Sequence, residues 1–450
     1  MKSYIKSSLV FDVLSGLTVS FAALSLGAAF GIMSGRGAFA GMLGASIIPI
    51  VASIFGGTRI QASGPTAPMT AITALLVAKA YESFPGDSHH ADEFITLVIL
   101  LSAVFIVIAG ILRLGKYIQW VPQVVVLGFM NGIGVLIWYD QFKKLFGLAG
   151  QQPLEGNLST NILIVFSTLG LIYLIPIILK KLNIPASVRR FVPSIFVTII
   201  ILTLFTSMTG AEVQHVSFGS TYNNFREYIH AVLIDLPVDK EIFTTPMLMI
   251  AIPLALQLCL LAYLDSMLTS LVIDKMTGEK TKTNKELVAQ GLANGLSGLL
   301  QGIPGAQATI RSVLLIKEGA QTRMAGVFVG IFALLGFVVF GKWITLIASA
   351  VFTGILLKAG LDVLDRDFPI AFVNNNWYNN KIRLIQLTLV LFTTIVTVTV
   401  DLNVAVISGT ILFYIGKRYF GFIDAEDSFA EVHAEELQGQ SLEELEVIRR

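Results

Sequence analysis

The chain has 450 residues, of which 54% are hydrophobic and 14% charged, with a formal net charge of +1 and a mean hydropathy of +0.76. A soluble domain carries about a quarter charged residues, so this composition excludes an ordinary soluble enzyme and points to a polytopic membrane protein. The near-neutral balance gives no basis for nucleic-acid binding, and the single Cys259 rules out a disulfide framework or a cysteine metal centre.

A bilayer requires about 20 apolar residues per helix, and the chain divides into about fourteen such segments. They are predicted over 10–33, 38–55, 66–81, 94–113, 121–138, 160–179, 192–208, 246–272, 286–301, 308–317, 323–340, 343–361, 384–400 and 402–417. No small-residue cleavage site follows the first apolar run, so the stretch from Leu9 to Met33 reads as a retained first span. With the N-terminus in the cytoplasm, the predicted inner loops carry Arg113 and Lys116, then Lys180, Lys181, Arg189 and Arg190. Further inner loops carry Lys275, Lys280, Lys282 and Lys285, then Lys317 and Arg323, then Lys381 and Arg383. The outer loop from Tyr81 to Glu93 is acidic, and Lys143 with Lys144 is the one discordant pair. This asymmetry follows the positive-inside rule and predicts both termini cytoplasmic; the membrane expected is a bacterial inner membrane. The segments divide seven plus seven around the polar connection from Thr209 to Thr245. An odd number of spans per half inverts the second repeat, so the expected fold is an all-α, 7+7 inverted repeat.

Span three opens with Gln61-Ala62-Ser63-Gly64-Pro65-Thr66-Ala67-Pro68-Met69-Thr70, followed by a short apolar helix to Ala80. Span ten occupies the equivalent place and opens with Gly302-Ile303-Pro304-Gly305-Ala306-Gln307-Ala308-Thr309-Ile310-Arg311. Proline and glycine break the hydrogen-bond ladder, and bare backbone at membrane depth persists only inside protein or beside a water-filled cavity. Each half-helix then aims free N–H groups and a positive dipole end at mid-membrane. Two such segments in corresponding halves mark a transporter's central site.

Between them, span eight carries Asp265 in the apolar run from Leu260 to Ser270, with Thr269 one turn later on the same face. A carboxylate at that depth faces a partner or a cavity. With the carbonyls of Gln307 and Ala308 it offers hard oxygens to a small cation; a proton-carrying Asp265 and an ion pair with Arg311 are the alternatives. Arg311 either makes the cavity positive for an anion or clamps helices together. Gln61 and Gln257 are uncharged donors suited to an oxyanion, whereas Gly27-Ala28-Ala29 and the stretch from Gly41 to Ala45 read as close-packing helix contacts.

The five histidines show no metal-ligand spacing: His89 and His90 sit in the acidic outer loop, His215 and His230 in the polar connection, and His433 in the tail. No HExxH, Walker A or GxSxG pattern is present, so neither hydrolysis nor ATP-driven transport is expected. The tail from Asp424 to Glu446 is acidic and reads as a soluble extension.

At Gln61 to Thr70, Asp265 to Thr269, Asn284 to Asn294 and Pro304 to Ser312, the chain resembles the sulfate permease (SulP) family of anion transporters, over about residues 8–420. Within that family, the Asp-Ser-x-x-Thr run paired with Ala-Thr-x-Arg is similar to the sodium-dependent bicarbonate transporters. The resemblance implies a core domain of spans one to four and eight to eleven, and a gate domain of spans five to seven and twelve to fourteen. It implies an anion held between spans three and ten, carried by an elevator-like shift of the core against the gate. By the same resemblance Asp265, Thr269, the Gln307 carbonyl and Thr309 hold sodium. Thr66, Ala67, Ala308 and Thr309 meet the anion, within a wider set of Gln61, Ser63, Gly64 and Arg311. No cofactor is expected beyond sodium as coupling ion. The partners are a small inorganic anion and the lipid bilayer, with room for a homodimer. Two departures stand out: Gln307 replaces a glycine of the bicarbonate-type motif, and about thirty residues stand where the family carries a cytoplasmic STAS domain. Sulfate or dicarboxylate coupled to protons through Asp265, an uncoupled channel or exchanger, and a nucleobase–proton symporter are the competing expectations.

Overall fold

The computed structural model of the chain describes residues 2–148, 153–183, 194–215, 225–344, 346–364, 381–400 and 402–420. Arg189, Arg190, His433 and the acidic tail lie outside the described residues. Within them the chain is helical almost throughout, and each of the fourteen predicted segments coincides with a helix.

The first half comprises α1 (Lys2–Met33), α2 (Gly37–Phe55), α3 (Ala67–Ser83), α4 (Ser88–Ile111), α5 (Gln123–Phe146), α6 (Leu158–Lys181) and α7 (Ser194–Thr209). After the connecting helix α8 (Phe225–Ile234) come α9 (Thr245–Thr277), α10 (Thr283–Leu299), α11 (Thr309–Lys317), α12 (Met324–Ile344), α13 (Ser349–Val363), α14 (Lys381–Thr399) and α15 (Leu402–Phe420). Among the described residues, six stretches are long and apolar enough to cross a bilayer: Leu9–Met33, Gly37–Phe55, Ser88–Ile111, Gln123–Phe146, Leu158–Lys181 and Thr245–Leu271. The half-helices α3 and α11 fall short of that length, as the breaks before them predict.

One element departs from expectation. The polar connection from Thr209 to Thr245, for which no element was predicted, contains α8 and a 3-10 turn, Lys240–Phe243. Tyr228 explains the order: its ring meets Phe39 edge-on at 5.7 Å, and its hydroxyl donates to the Leu300 carbonyl at 2.8 Å.

Two compact units emerge from the packing. One consists of residues 1–118 and 139–358, the other of 119–138 and 359–450. In the first, small residues bring helix backbones together, as membrane packing requires where lipid supplies no hydrophobic drive. A Cβ on Gly41 would lie 1.9 Å from the Gly27 carbonyl oxygen, so α1 and α2 touch backbone to backbone at the predicted glycine–alanine runs. Gly291 of α10 likewise packs close to the Ala103 carbonyl of α4. Leu315 of α11 packs in a buried cluster with Val19, Ala23, Ile60, Ala62, Ala325 and Val329. In the second unit, Thr394 of α14 donates to the Gly128 carbonyl of α5 at 3.0 Å, and α14 packs along α15.

At the centre of the first unit, the residues before the two half-helices form short strands, β1 (Ser63–Gly64) and β2 (Ala306–Gln307). They pair antiparallel, Ser63 with Gln307 and Gly64 with Ala306. Antiparallel pairing of equivalent segments is what an inverted repeat produces where its halves cross.

Candidate functional site

The broken backbone meets the requirement that polar main-chain groups at membrane depth find partners inside the protein. Ile303 N–H donates to the Ala40 carbonyl at 3.1 Å, and Ala308 N–H to the Ala62 carbonyl at 3.3 Å. Asn294 of α10 holds Gly305 from both sides, accepting its N–H at 2.6 Å and donating to its carbonyl at 2.8 Å. Ser297 donates to the Ile303 carbonyl at 2.9 Å, and Ser312 accepts from Ala62 N–H at 3.0 Å. Two glycines make the crossing feasible. Gly64 has φ +146°, a conformation that side chains disfavour, and a Cβ on Gly305 would lie 2.2 Å from the Gly64 carbonyl carbon.

The half-helices leave the crossing with their first turns uncapped. Thr66 precedes α3 and Ala308 precedes α11, and neither makes a side-chain cap bond. Pro68 at the second position of α3 lacks an N–H, and Thr70 and Ser312 supply the first in-helix donors, to the Thr66 and Ala308 carbonyls. The N–H groups of Ala67, Met69, Thr309, Ile310 and Arg311 therefore form an electropositive pair of helix ends. Ala67 is buried and Ala308 half-buried, so each end is flanked by one methyl group rather than a bulky side chain.

Helix α9 lies against β2 and the start of α3 and bonds to both. Thr66 donates to Asp265 Oδ2 at 2.8 Å, tying α9 to the start of α3. One residue on, Ser266 accepts from Gln307 N–H at 3.2 Å. One turn later, the Thr269 hydroxyl lies 3.0 Å from the Gln307 carbonyl and 2.6 Å from the Thr309 hydroxyl. Three neutral oxygens thus converge beside β2, with the Asp265 carboxylate one turn away on the same helix.

Arg311 turns back beneath β1. Its Nη2 donates to the Pro65 carbonyl at 2.8 Å, while Nη1 is buried without a hydrogen-bond partner, as is Gln307 Nε2. Among the described residues Arg311 forms no ion pair with Asp265, so that alternative is absent here. A guanidinium 2% exposed with an unmatched charge is costly unless an anion compensates it.

The remaining predicted residues are placed differently. Gln61 and Ser63 point into a buried network behind β1: Gln61 Nε2 donates to the Ala52 carbonyl at 2.9 Å and to Glu286 Oε2 at 3.2 Å. Ser63 donates to Gln61 Oε1 at 3.1 Å and accepts from Gln290 Nε2 at 2.7 Å. Gln257 stands two turns before Asp265, roughly 12 Å along α9.

Glu286 is the residue that sequence reasoning missed. Wholly buried, it accepts from Gly57 N–H at 2.7 Å, Thr58 N–H at 2.9 Å and Gln290 Nε2 at 2.8 Å, closing the turn that leads into β1. The available signal was a carboxylate four residues before an amide at the start of an apolar helix, a spacing that places both on one face.

Residues 9–385 match the Sulfate permease family. The chain is 30% identical over 417 residues to the bicarbonate transporter BicA of Picosynechococcus sp., covering 89% of this chain and 69% of that protein. It is 31% identical over 369 residues to the bicarbonate transporter BicA of Synechocystis sp., covering 79% of this chain and 62% of that protein. The chain thus spans about two thirds of the length of these curated relatives. The fold matches the solved transmembrane domain of a cyanobacterium bicarbonate transporter BicA with a TM-score of 0.73 and 28% identity, over 89% of this chain and 97% of that one.

Proposed function

This chain belongs to the sulfate permease family of multi-pass membrane anion transporters, not enzymes, and we propose that it is a sodium-coupled symporter of a small inorganic oxyanion, bicarbonate first. The observation that carries this reading is the meeting of two uncapped half-helix ends at the β1–β2 crossing, beside a cluster of neutral oxygens.

In this reading the anion sits between α3 and α11. It accepts from the first-turn N–H groups at Ala67 and Thr309, with Thr66 and Ala308 beside it and the unmatched Arg311 supplying positive potential. Gly64 allows the close approach of backbone, and Gln61 and Ser63 support it from behind. Sodium is taken up with the anion by Asp265, the Thr269 and Thr309 hydroxyls and the Gln307 carbonyl. A carboxylate with three neutral oxygens suits a hard monovalent cation. Binding of opposite charges in neighbouring places lowers the cost of each, which is the physical basis of the coupling. The core comprises α1–α4 and α9–α12, the gate α5–α7 and α13–α15, a division that follows the repeat rather than the packing units. An elevator-like shift of core against gate carries the pair across a bacterial inner membrane, both termini being cytoplasmic.

Proton coupling is the second reading, favoured by one observation: Asp265 is bonded to the Thr66 hydroxyl rather than to the Thr269 cluster. Uptake of labelled bicarbonate and sulfate by the purified chain in proteoliposomes, with and without an inward sodium gradient, tests the proposal. Sodium-stimulated bicarbonate accumulation is expected. Sulfate accumulation with no response to sodium would reverse both assignments.

A further inference from the structure

The first turns of α4 meet the 3-10 turn that leads into α9 and bring together residues far apart in the sequence. His90, Glu93 and Asp239 each present one ligand atom, and the three atoms lie within 4.8 Å of one another. Sequence spacing around the histidines gave no metal signal because the third partner arrives from the polar connection between the repeats. Glu93 is 1% exposed, and its Oε2 is buried without a hydrogen-bond partner. A carboxylate oxygen in that position is destabilising unless a cation meets it.

The histidine is held for the same role. His90 Nδ1 lies 2.6 Å from Asp87 Oδ2, a contact that orients the ring with Nε2 turned toward Asp239 and Glu241. A carboxylate behind the distal nitrogen is the arrangement that orients metal-bound imidazoles. Nε2 is buried and faces Asp239 Oδ2 at 3.5 Å and Glu241 Oε2 at 3.8 Å. Those separations are long for a hydrogen bond, yet two ligands about 2.0–2.1 Å from a tetrahedral ion lie roughly 3.3 Å apart.

Two neighbouring basic side chains are already engaged. Arg36 pairs with Asp92, and His89 lies 3.3 Å from Asp235.

We propose that His90, Glu93 and Asp239, with Glu241 in reach as a fourth ligand, bind a divalent transition-metal cation, zinc first. One imidazole with carboxylates suits zinc, whereas calcium and magnesium favour all-oxygen sets. The ion would join α4 to the segment entering α9 and is independent of the transport reading.

The test is zinc titration of the full chain in detergent after removal of metal, read by competition with a chromophoric chelator and by the thermal midpoint. About one zinc per chain is expected, with a raised midpoint. His90→Ala and Asp239→Asn should each weaken binding at least tenfold, Asp87→Asn should weaken it about 10- to 100-fold through the imidazole, and His89→Ala should bind as the parent does. The Asp239 side chain is 46% exposed, so its variant folds irrespective of the metal. A parent protein that takes up no zinc at micromolar concentration, or His90→Ala and Asp239→Asn variants that bind like it, would overturn the site.

Discussion

A single methyl group at Gly305 probes the crossing on which the proposed anion site depends. In Gly305→Ala the new Cβ would lie 2.2 Å from both the carbonyl carbon and oxygen of Gly64, and 2.6 Å from the Pro65 nitrogen. Carbon atoms in contact rest about 3.5 Å apart, so the two backbones must separate by roughly 1 Å. Every one of those neighbours is backbone, leaving no flexible side chain to move aside. Overpacking of this kind costs about 1–3 kcal/mol. The shift also disturbs the paired Asn294 bonds to Gly305, each worth about 1 kcal/mol. If about 2 kcal/mol of the total falls on the helix ends, the anion KM rises roughly 30-fold. Initial rates of bicarbonate uptake in proteoliposomes, with thermal midpoints in detergent, measure both effects. Gly170→Ala is the control, because a Cβ there meets nothing within 4 Å. A Gly305→Ala protein with the parent KM and midpoint would refute the claim that the crossing shapes the site.

Ala67→Leu and Ala308→Leu should each abolish anion uptake by filling the space between the two helix ends, and parent rates in both would put the site elsewhere. Glu286→Leu removes the acceptor for Gly57 and Thr58 N–H and should destabilise the protein by about 3–5 kcal/mol, whereas Glu286→Gln keeps a carbonyl oxygen and should lose less. Their thermal midpoints decide this, and equal midpoints for the Leu variant and the parent would contradict the network's structural role.

The spans were legible because burial in lipid imposes a length and an apolar composition that few other demands mimic. The half-helices were legible for a related reason: Pro65, Pro304 and Gly305 have no place in a continuous lipid-facing helix. The i, i+4 spacing likewise put Asp265 and Thr269 on one face. Contacts made across long sequence separations were another matter. The β1–β2 pairing involves two residues per strand, too few to leave an alternating pattern. Glu286 accepts from residues some 230 positions earlier, so the carboxylate looked like the polar start of an ordinary helix. Gln61 and Ser63 share the broken stretch with Thr66 and Ala67, and the turn at Gly64, invisible in composition, sends their side chains into the Glu286 network. His90 and Asp239 meet only because the connection between the repeats folds onto α4.

The proposed coupling through Asp265 carries the transport reading. It is tested most directly by bicarbonate uptake at fixed internal and external pH, with sodium replaced by choline, in the parent and in Asp265→Asn. A carboxylate that holds sodium must stay ionised among neutral oxygens, so uptake should collapse in choline and in the folded Asp265→Asn protein at any sodium concentration. Undiminished uptake in choline, stimulated by an inward proton gradient and lost in Asp265→Asn, would contradict sodium coupling and make Asp265 the proton carrier.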